Sequence, residues 1–211
     1  MASGFLGNAP TVTRNLIIIN IIVFAATFFG ERLAGSSILG QLFALHPFES
    51  HFFHWWQPVT YLFLHGGFWH ILFNMYTLYI FGCVVENIIG SKKFLTFYLI
   101  CGIGAAALHL LVQHLTNDYA PTVGASGSIY GVLIAFAALF PESRLTLLFP
   151  PVSLSAKWMV IIFAVIELTT GFTGAGASIA HFAHLGGMLV GWLLILFWRK
   201  TGTLFDKERW I

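Results

Sequence analysis

The sequence predicts an all-α polytopic membrane protein with six transmembrane helices. Hydrophobic residues make up 58% of the 211-residue chain and charged residues only 9%, whereas about a quarter of the residues in soluble domains are charged. With a mean hydropathy of +0.84, the chain carries more apolar surface than one small soluble core could bury. This composition excludes a disordered chain and a nucleic-acid-binding protein, which needs a clustered basic footprint. The net charge of +2 says nothing about partners.

Six apolar runs approach the roughly 20 residues that a membrane helix needs. Their approximate bounds are 14–30, 60–89, 94–115, 123–140, 157–174 and 179–198, and together they are predicted to form a single membrane domain over residues 1–211. Residues 31–58 are too polar to span a membrane, but they are rich in Phe and Trp. Because amphipathic aromatic side chains favour the membrane interface, this segment is predicted to form a structured outer loop in the headgroup region.

The basic residues predict how the spans are oriented. Nine of the ten lie in loops or termini on one side of the six spans, and the tenth, Arg32, lies on the other. Positive residues are retained on the cytoplasmic side, so both termini are predicted to be cytoplasmic. The even-numbered spans then start at the outer face. Residues 1–13 contain no basic region of the kind that begins a cleaved signal, and this compact chain is expected in a bacterial inner membrane.

Polar side chains inside the spans mark a candidate site, because unpaired polar groups are costly in a bilayer. Ser126 starts the fourth span, with Tyr130 one turn later, and His184 lies near the start of the sixth span. His70 and Asn74 are four residues apart and share a face of the second span. All these residues are predicted to lie toward the outer side of the membrane.

Two glycine pairs indicate how the serine and the histidine could meet. Small residues four positions apart let membrane helices approach closely. Such pairs lie on the fourth and sixth spans, at Gly127, Gly131, Gly187 and Gly191. Close packing there would bring the Ser126 hydroxyl within reach of the His184 imidazole, which is the arrangement of nucleophile and general base used in acyl transfer.

The remaining polar residues of the site receive separate interpretations. With no acidic residue evident at that depth, we expect a Ser-His dyad, with Tyr130 orienting His184 by stacking. His70 and Asn74, together with the Ser126 N–H, are candidate donors to the oxyanion. The loop containing Pro121 and Thr122 is predicted to enter a polar cavity and deliver Ser126 on the first turn of a short helix.

Three further polar residues are treated apart from the predicted catalytic pair. Glu86 is expected to tie a loop or helix terminus through backbone N–H groups. His181 is expected to bond the loop above it, while Glu167 has no assigned role.

The chain resembles the rhomboid intramembrane serine proteases over nearly its whole length. The resemblance rests on three motifs in the second, fourth and sixth spans: the run His65–Asn74, Gly124-Ala125-Ser126-Gly127, and Ala183-His184-Leu185-Gly186-Gly187 continuing to Gly191. Glu86 followed by Gly90-Ser91 also resembles the family pattern. One departure is Trp56-Gln57, where many members have Trp-Arg, and it leaves the anchoring of the outer loop open.

The resemblance implies a six-helix rhomboid-like bundle that hydrolyses peptide bonds of transmembrane protein substrates in the lipid bilayer. It implies Ser126 as nucleophile, His184 as base, and His70 with Asn74 around the oxyanion, and it implies no cofactor and no metal. Gly124, Gly127 and Tyr130 would support the site, whereas Glu86, Gly187 and Gly191 would be structural. The competing interpretations are a catalytically inactive rhomboid-like protein that binds membrane helices and a metal transporter, suggested by nine histidines.

Overall fold

The structure, a computed structural model, describes residues 7–35, 37–146, 151–173 and 180–204. Helices form almost all of the regular structure. They are α1 (Thr11–Ala34), α2 (Ile38–Phe43), α3 (Gln57–Thr60), α4 (Phe68–Thr77), α5 (Cys83–Ile89), α6 (Ser91–Thr116), α7 (Ser126–Leu139), α8 (Ala156–Thr173) and α9 (His181–Lys200). A π-helical turn, Leu78–Gly82, joins α4 and α5 into one continuous helix.

Five helices of the described residues are long and apolar enough to cross a membrane: α1, the joined α4–α5 helix, α6, α8 and α9. The fourth predicted span, α7, has only 14 residues. It is therefore about 21 Å long, shorter than the roughly 30 Å hydrocarbon core. The prediction of a helical membrane protein is confirmed, whereas the count of six full-length spans is not.

One boundary and one small element differ from the sequence prediction. The second span was predicted over 60–89, but its helix begins at Phe68, because Gly66 and Gly67 interrupt the chain after a short 3-10 turn at Tyr61–Phe63. Between α7 and α8 the chain forms an antiparallel hairpin of β1 (Arg144–Thr146) and β2 (Ser153–Ser155). The predicted start of the last span at residue 179 lies outside the described residues.

The short helix α7 lies at the centre of the bundle and packs against α6, α8 and α9. Glycines make the contact with α9 possible. A Cβ atom at Gly187 would lie 1.9 Å from the carbonyl oxygen of Gly127, and one at Gly191 would lie 2.9 Å from the Cα of Gly131. The two backbones are therefore in direct contact, which is the geometry that small residues permit between membrane helices.

The outer surface of the bundle is apolar, as a lipid-facing surface must be. On α1, Ile22 and Phe29 are about 60% exposed. On α8, Trp158 and Val165 are more than half exposed. These two helices therefore lie at the periphery of the bundle, although α8 also contributes a buried acid, Glu167.

Glu86 joins three helices at one end of the bundle. Its carboxylate is fully buried and accepts hydrogen bonds from the backbone N–H groups of Val12 (2.9 Å) and Thr13 (2.7 Å) at the start of α1. It also accepts one from the Ser91 hydroxyl (2.7 Å) at the start of α6. A carboxylate at a helix N-terminus satisfies free N–H groups and interacts favourably with the helix dipole.

Two basic side chains form hydrogen bonds with backbone carbonyls at this same end of the bundle. Lys93 at the start of α6 donates to the Thr203 carbonyl (2.7 Å), which follows α9. Arg199 near the end of α9 donates to the carbonyl of Ala138 (2.5 Å), near the end of α7. The ends of helices that were predicted to face the cytoplasm therefore lie together.

At the other end, Gln57 organises the segment between α1 and α4. Its side chain is fully buried, donates to the Phe52 carbonyl (2.6 Å) and accepts from the His46 N–H (3.2 Å). Gln57 thus anchors the loop at the position where the resemblance to the family left anchoring open.

Candidate active site

Ser126 is the first residue of α7, and several bonds fix the segment that precedes it. Thr122 exchanges two backbone hydrogen bonds of 2.9 Å with Leu45 of the outer loop, and its hydroxyl lies 2.6 Å from Nε2 of His109 on α6. The N–H of Gly124 donates to the Tyr61 carbonyl (2.9 Å). The serine is therefore held at a helix start by contacts with both the outer loop and the bundle.

The structure brings Ser126 together with His184 of α9. Their Oγ and Nε2 atoms are 2.8 Å apart, within the range of a normal hydrogen bond. This distance is set by the direct contact between the α7 and α9 backbones at Gly127 and Gly187. Gly127 follows Ser126 directly, and Gly187 lies three residues after His184. A neutral imidazole with its proton on Nδ1 would accept the serine proton at Nε2.

Tyr130 stacks on the imidazole of His184. The two ring centroids are 4.4 Å apart and the ring planes differ by 11°. The tyrosine lies one helical turn after Ser126 on α7, so serine and tyrosine contact the same histidine from one helix. The stacked ring restricts rotation of the imidazole.

Glu167 of α8 completes the cluster. One of its carboxylate oxygens lies 3.0 Å from Nδ1 of His184 and 2.5 Å from the Tyr130 hydroxyl, which donates to it. The other oxygen lies 2.6 Å from Nδ1 of His181. The sequence offered no evident acidic third member at this depth, and in the structure Glu167 lies there.

The contact between His184 and Glu167 has an ion-pair distance but not the alignment of a hydrogen bond. The N–H direction at Nδ1 departs from the line to the carboxylate oxygen, so this nitrogen is left without a well-aligned partner. Catalytic hydrogen bonds are often poorly aligned in enzymes without substrate and tighten when substrate binds.

His181 was expected to bond the loop above it. Its Nδ1 instead lies between the Glu167 carboxylate and the Thr170 hydroxyl, which is 3.1 Å away. His181 therefore holds one oxygen of the carboxylate, while His184 lies beside the other.

His70 and Asn74 line the same cavity as Ser126 and His184. Gly124 separates His70 from the serine: a Cβ atom at this glycine would lie 2.8 Å from Nε2 of His70 and 3.7 Å from Oγ of Ser126. The φ angle of Gly124 is +131°, a conformation that side chains rarely adopt. Glycine is therefore required there for two separate reasons.

Two more features surround the predicted oxyanion donors. The Asn74 Nδ2 atom is buried without a hydrogen-bond partner in the described part of the chain. The ring of His65 packs edge to face on that of His70, with 5.0 Å between centroids. Burial, with a smaller contribution from the His70 ring, lowers the pKa of His65 to about 3, so this ring is neutral at neutral pH.

The cavity has a volume of about 950 Å³. Ser126, His184, His70 and Asn74 are among its polar residues. Its lining is mainly apolar, with Trp69, Phe73, Phe81, Leu133, Met159 and Phe163 among its residues. Pro121 and Thr122 also line it. An apolar cavity of this size that ends at a few convergent polar groups is typical of a binding site.

One group of side chains within the described ranges has the composition and spacing to hold a metal ion: Glu167, His181 and His184. All three are buried, and their candidate ligand atoms lie within 4.8 Å of one another. The same atoms make the contacts described above. A bound metal would replace those contacts and would need Nδ1 of both histidines to be unprotonated.

Sequence reasoning did not identify Glu167 as a member of this cluster, and it expected His181 to bond the loop above instead. The signal for Glu167 was its position, since an acid inside an apolar span is a functional candidate by default. Its partners could not be inferred, because α8 is distant from Ser126 in sequence and has no glycine pair to predict which helix it packs against.

The Rhomboid domain family matches residues 53–201 of this chain. The chain is 31% identical over 193 residues to the rhomboid protease GluP of Bacillus subtilis, covering 90% of this chain and 35% of GluP. It is 32% identical over 149 residues to the mitochondrial Rhomboid protein 1 of Saccharomyces cerevisiae, covering 70% of this chain and 42% of that protein. With the human mitochondrial presenilin-associated rhomboid-like protein it shares 33% identity over 129 residues, which is 61% of this chain and 34% of the relative. The match spans between 34% and 42% of the length of these relatives.

Proposed function

Since this chain belongs to the rhomboid family of membrane proteins, we propose that it is a serine endopeptidase that cleaves transmembrane protein substrates within or beside the bilayer. The observation that carries the proposal is the 2.8 Å contact between Ser126 Oγ and His184 Nε2. This contact pairs a nucleophile with a base of suitable geometry. The long match to GluP, the relative named as a protease, spans the positions of both residues.

In the proposed acylation, Ser126 Oγ attacks the carbonyl carbon of the scissile peptide bond while His184 Nε2 takes the serine proton. The carbonyl oxygen becomes an oxyanion, for which the Ser126 N–H, His70 and Asn74 are the candidate donors. The C–N bond then breaks as His184 returns the proton to the leaving nitrogen. An acyl ester on Ser126 and a free amine result.

In the proposed deacylation, water gives a proton to His184 and its oxygen attacks the ester carbon. The ester bond breaks, the proton returns to Ser126, and a carboxylic acid leaves. Water must therefore reach Ser126, and the cavity of about 950 Å³ that holds the serine supports this requirement.

The proposed substrates are membrane helices that unwind easily near the outer interface. A peptide bond inside a helix is shielded by the helical hydrogen bonds, so we expect a preference for glycine and other weak helix formers at the cleavage site. Replacing such residues with leucine in a model substrate should slow cleavage. For the membrane itself we propose a bacterial inner membrane, since the longest of the three matches described is to a bacterial protein. The other two relatives are named as mitochondrial.

The experiment that tests the proposal combines a probe and a substrate. Detergent-purified protein is treated with a fluorescent fluorophosphonate, and cleavage of a transmembrane model substrate is followed in parallel. Wild type should label and cleave, whereas Ser126→Ala should do neither. His184→Ala should lose nearly as much, because residues that act as one unit give non-additive losses.

Circular dichroism and thermal unfolding show whether each variant is folded. If folded wild type neither labels nor cleaves, the protease proposal fails and a protein that binds membrane helices without cutting them takes its place. If Ser126→Ala keeps its activity, another nucleophile is responsible.

A further inference from the structure

Three groups that can donate hydrogen bonds surround the carboxylate of Glu167. The Tyr130 hydroxyl, Nδ1 of His181 and Nδ1 of His184 lie 2.5, 2.6 and 3.0 Å from its oxygens. Only 8% of its side chain is exposed. A buried carboxylate is tolerated in such a place when it is paired and hydrogen-bonded.

The state of His184 connects this cluster to the reaction. To take a proton from Ser126 at Nε2, the neutral ring must carry its own proton on Nδ1. Glu167 is the group that lies 3.0 Å from that nitrogen. When Nε2 also becomes protonated, the ring is positively charged and the carboxylate is beside it.

We propose that Glu167 is a third member of the catalytic unit, a positioning residue that keeps the proton of His184 on Nδ1 and stabilises the imidazolium formed when Ser126 attacks. The inference rests on the proposed protease function. Glu167 touches neither substrate nor serine and acts through the histidine.

Tyr130 and His181 hold the carboxylate for this role. Tyr130 donates to the oxygen that faces His184, and its ring stacks on the imidazole, so one side chain orients both partners. His181 contacts the other oxygen. Residues of α7 and α9 therefore hold the carboxylate, while Glu167 itself belongs to α8.

A purely structural role makes a different prediction. If Glu167 only tied α8 to α7 and α9, its loss would lower thermal stability and substrate binding together. If it positions the base, Glu167→Gln should lower kcat by about 100-fold or more while KM changes little, since general-base catalysis contributes about 10²–10⁴-fold. Glu167→Asp should recover part of the loss.

The test compares Glu167→Gln, Glu167→Asp and a matched control, Glu142→Gln, at the opposite end of the bundle, where Glu142 pairs with Lys157 (2.5 Å). For each protein, kcat and KM on the model substrate, the fluorophosphonate labelling rate and the unfolding temperature are measured. We expect Glu142→Gln to match wild type. In Glu167→Gln, labelling and kcat should fall together while the protein remains folded.

A second comparison separates catalysis from folding. Adding Glu167→Gln to His184→Ala should cause no further loss of labelling, because the carboxylate acts only through the histidine. A further loss of similar size in the double variant overturns the inference. The inference is also overturned if folded Glu167→Gln protein has the wild-type kcat. It is overturned as well if the loss of kcat in Glu167→Gln disappears when rates are expressed per folded molecule. These outcomes leave the protease proposal standing as long as wild type cleaves and Ser126→Ala does not.

Discussion

At the scale of single residues, Asn74 offers a test of oxyanion stabilisation in which activity and stability should change differently. Its Nδ2 atom is buried, points to no partner among the residues described, and belongs to a side chain that lines the cavity. Asn74→Ala should lower kcat by about 100-fold, as loss of one oxyanion donor does. The unfolding temperature should stay the same or rise, because a buried polar group without a partner costs stability. Cleavage kinetics and thermal unfolding of the same preparation measure both effects.

A matched control for this variant lies on α1. Asn20 is also buried, but its Nδ2 donates to the Leu16 carbonyl (2.7 Å), and it is absent from the cavity lining. Asn20→Ala should leave kcat per folded molecule unchanged whatever its effect on the unfolding temperature, because Asn20 Oδ1 is also buried without a partner among the described residues. If Asn74→Ala behaves in the same way, Asn74 is a structural residue.

Gly124 makes a second prediction at this scale. A methyl group at this position would lie 2.8 Å from Nε2 of His70, on a backbone with φ of +131°. Gly124→Ala should therefore displace His70 or the serine segment and lower the labelling rate about fivefold or more, given a strain of roughly 1–3 kcal/mol. Gly67→Ala is the control, since a Cβ atom there has no other atom within 4 Å. Equal labelling of the two variants would show that His70 does not depend on this glycine.

At the scale of helices, the contact between α7 and α9 decides whether the site forms. Because the Cβ of Gly187→Ala would be only 1.9 Å from the Gly127 carbonyl oxygen, the helices must separate. We expect a loss of about 3 kcal/mol or more in the free energy of unfolding, at the upper end for overpacked cores. Labelling of Ser126 should also be lost, because separating the two helices lengthens the hydrogen bond between Ser126 and His184.

The matched helical control is Gly30→Ala in α1. The nearest atom to a Cβ at Gly30 is a Leu39 side-chain atom at 3.8 Å, an ordinary contact. Alanine also favours helix over glycine by up to about 1 kcal/mol, so no stability should be lost. Equal unfolding temperatures for the two variants would contradict the close α7–α9 contact.

The same elements show which features sequence could and could not predict. The glycine pairs of spans four and six carry a local, periodic signal, so the α7–α9 contact and the neighbourhood of Ser126 and His184 could be anticipated. Hydropathy located the spans but overestimated the length of α7. It counts apolar residues and does not detect where a buried loop ends and a helix begins. Glu167 had no partner that its local sequence could identify, since its contacts come from two other helices.

At the scale of the whole molecule, the two ends of the bundle differ in charge. Lys93 and Arg199 bind at the end where α1 begins and α7 ends, whereas Ser126 lies toward the other end, beside the outer loop. By the positive-inside rule, we expect the basic end to be cytoplasmic. The site is therefore expected to open to the outer side.

This orientation can be tested with single cysteines at two exposed positions. Tyr119, between α6 and α7, is 60% exposed, and the side chain of Glu142, between α7 and α8, is 74% exposed. In intact cells a membrane-impermeant maleimide should label Tyr119→Cys, whereas Glu142→Cys should be labelled only after permeabilisation. Neither change should disturb the fold, because Glu142 loses just an exposed ion pair, worth at most about 1 kcal/mol.

The unmodified chain supplies the background of this experiment, since Cys101 is fully buried and Cys83 is partly buried. If Glu142→Cys is labelled in intact cells and Tyr119→Cys is not, the chain is inserted the other way. The basic end would then be outside, and the proposed site would open to the cytoplasm. Such a result would leave the serine–histidine geometry intact but would change the substrates to helices whose weak segment lies near the cytoplasmic interface.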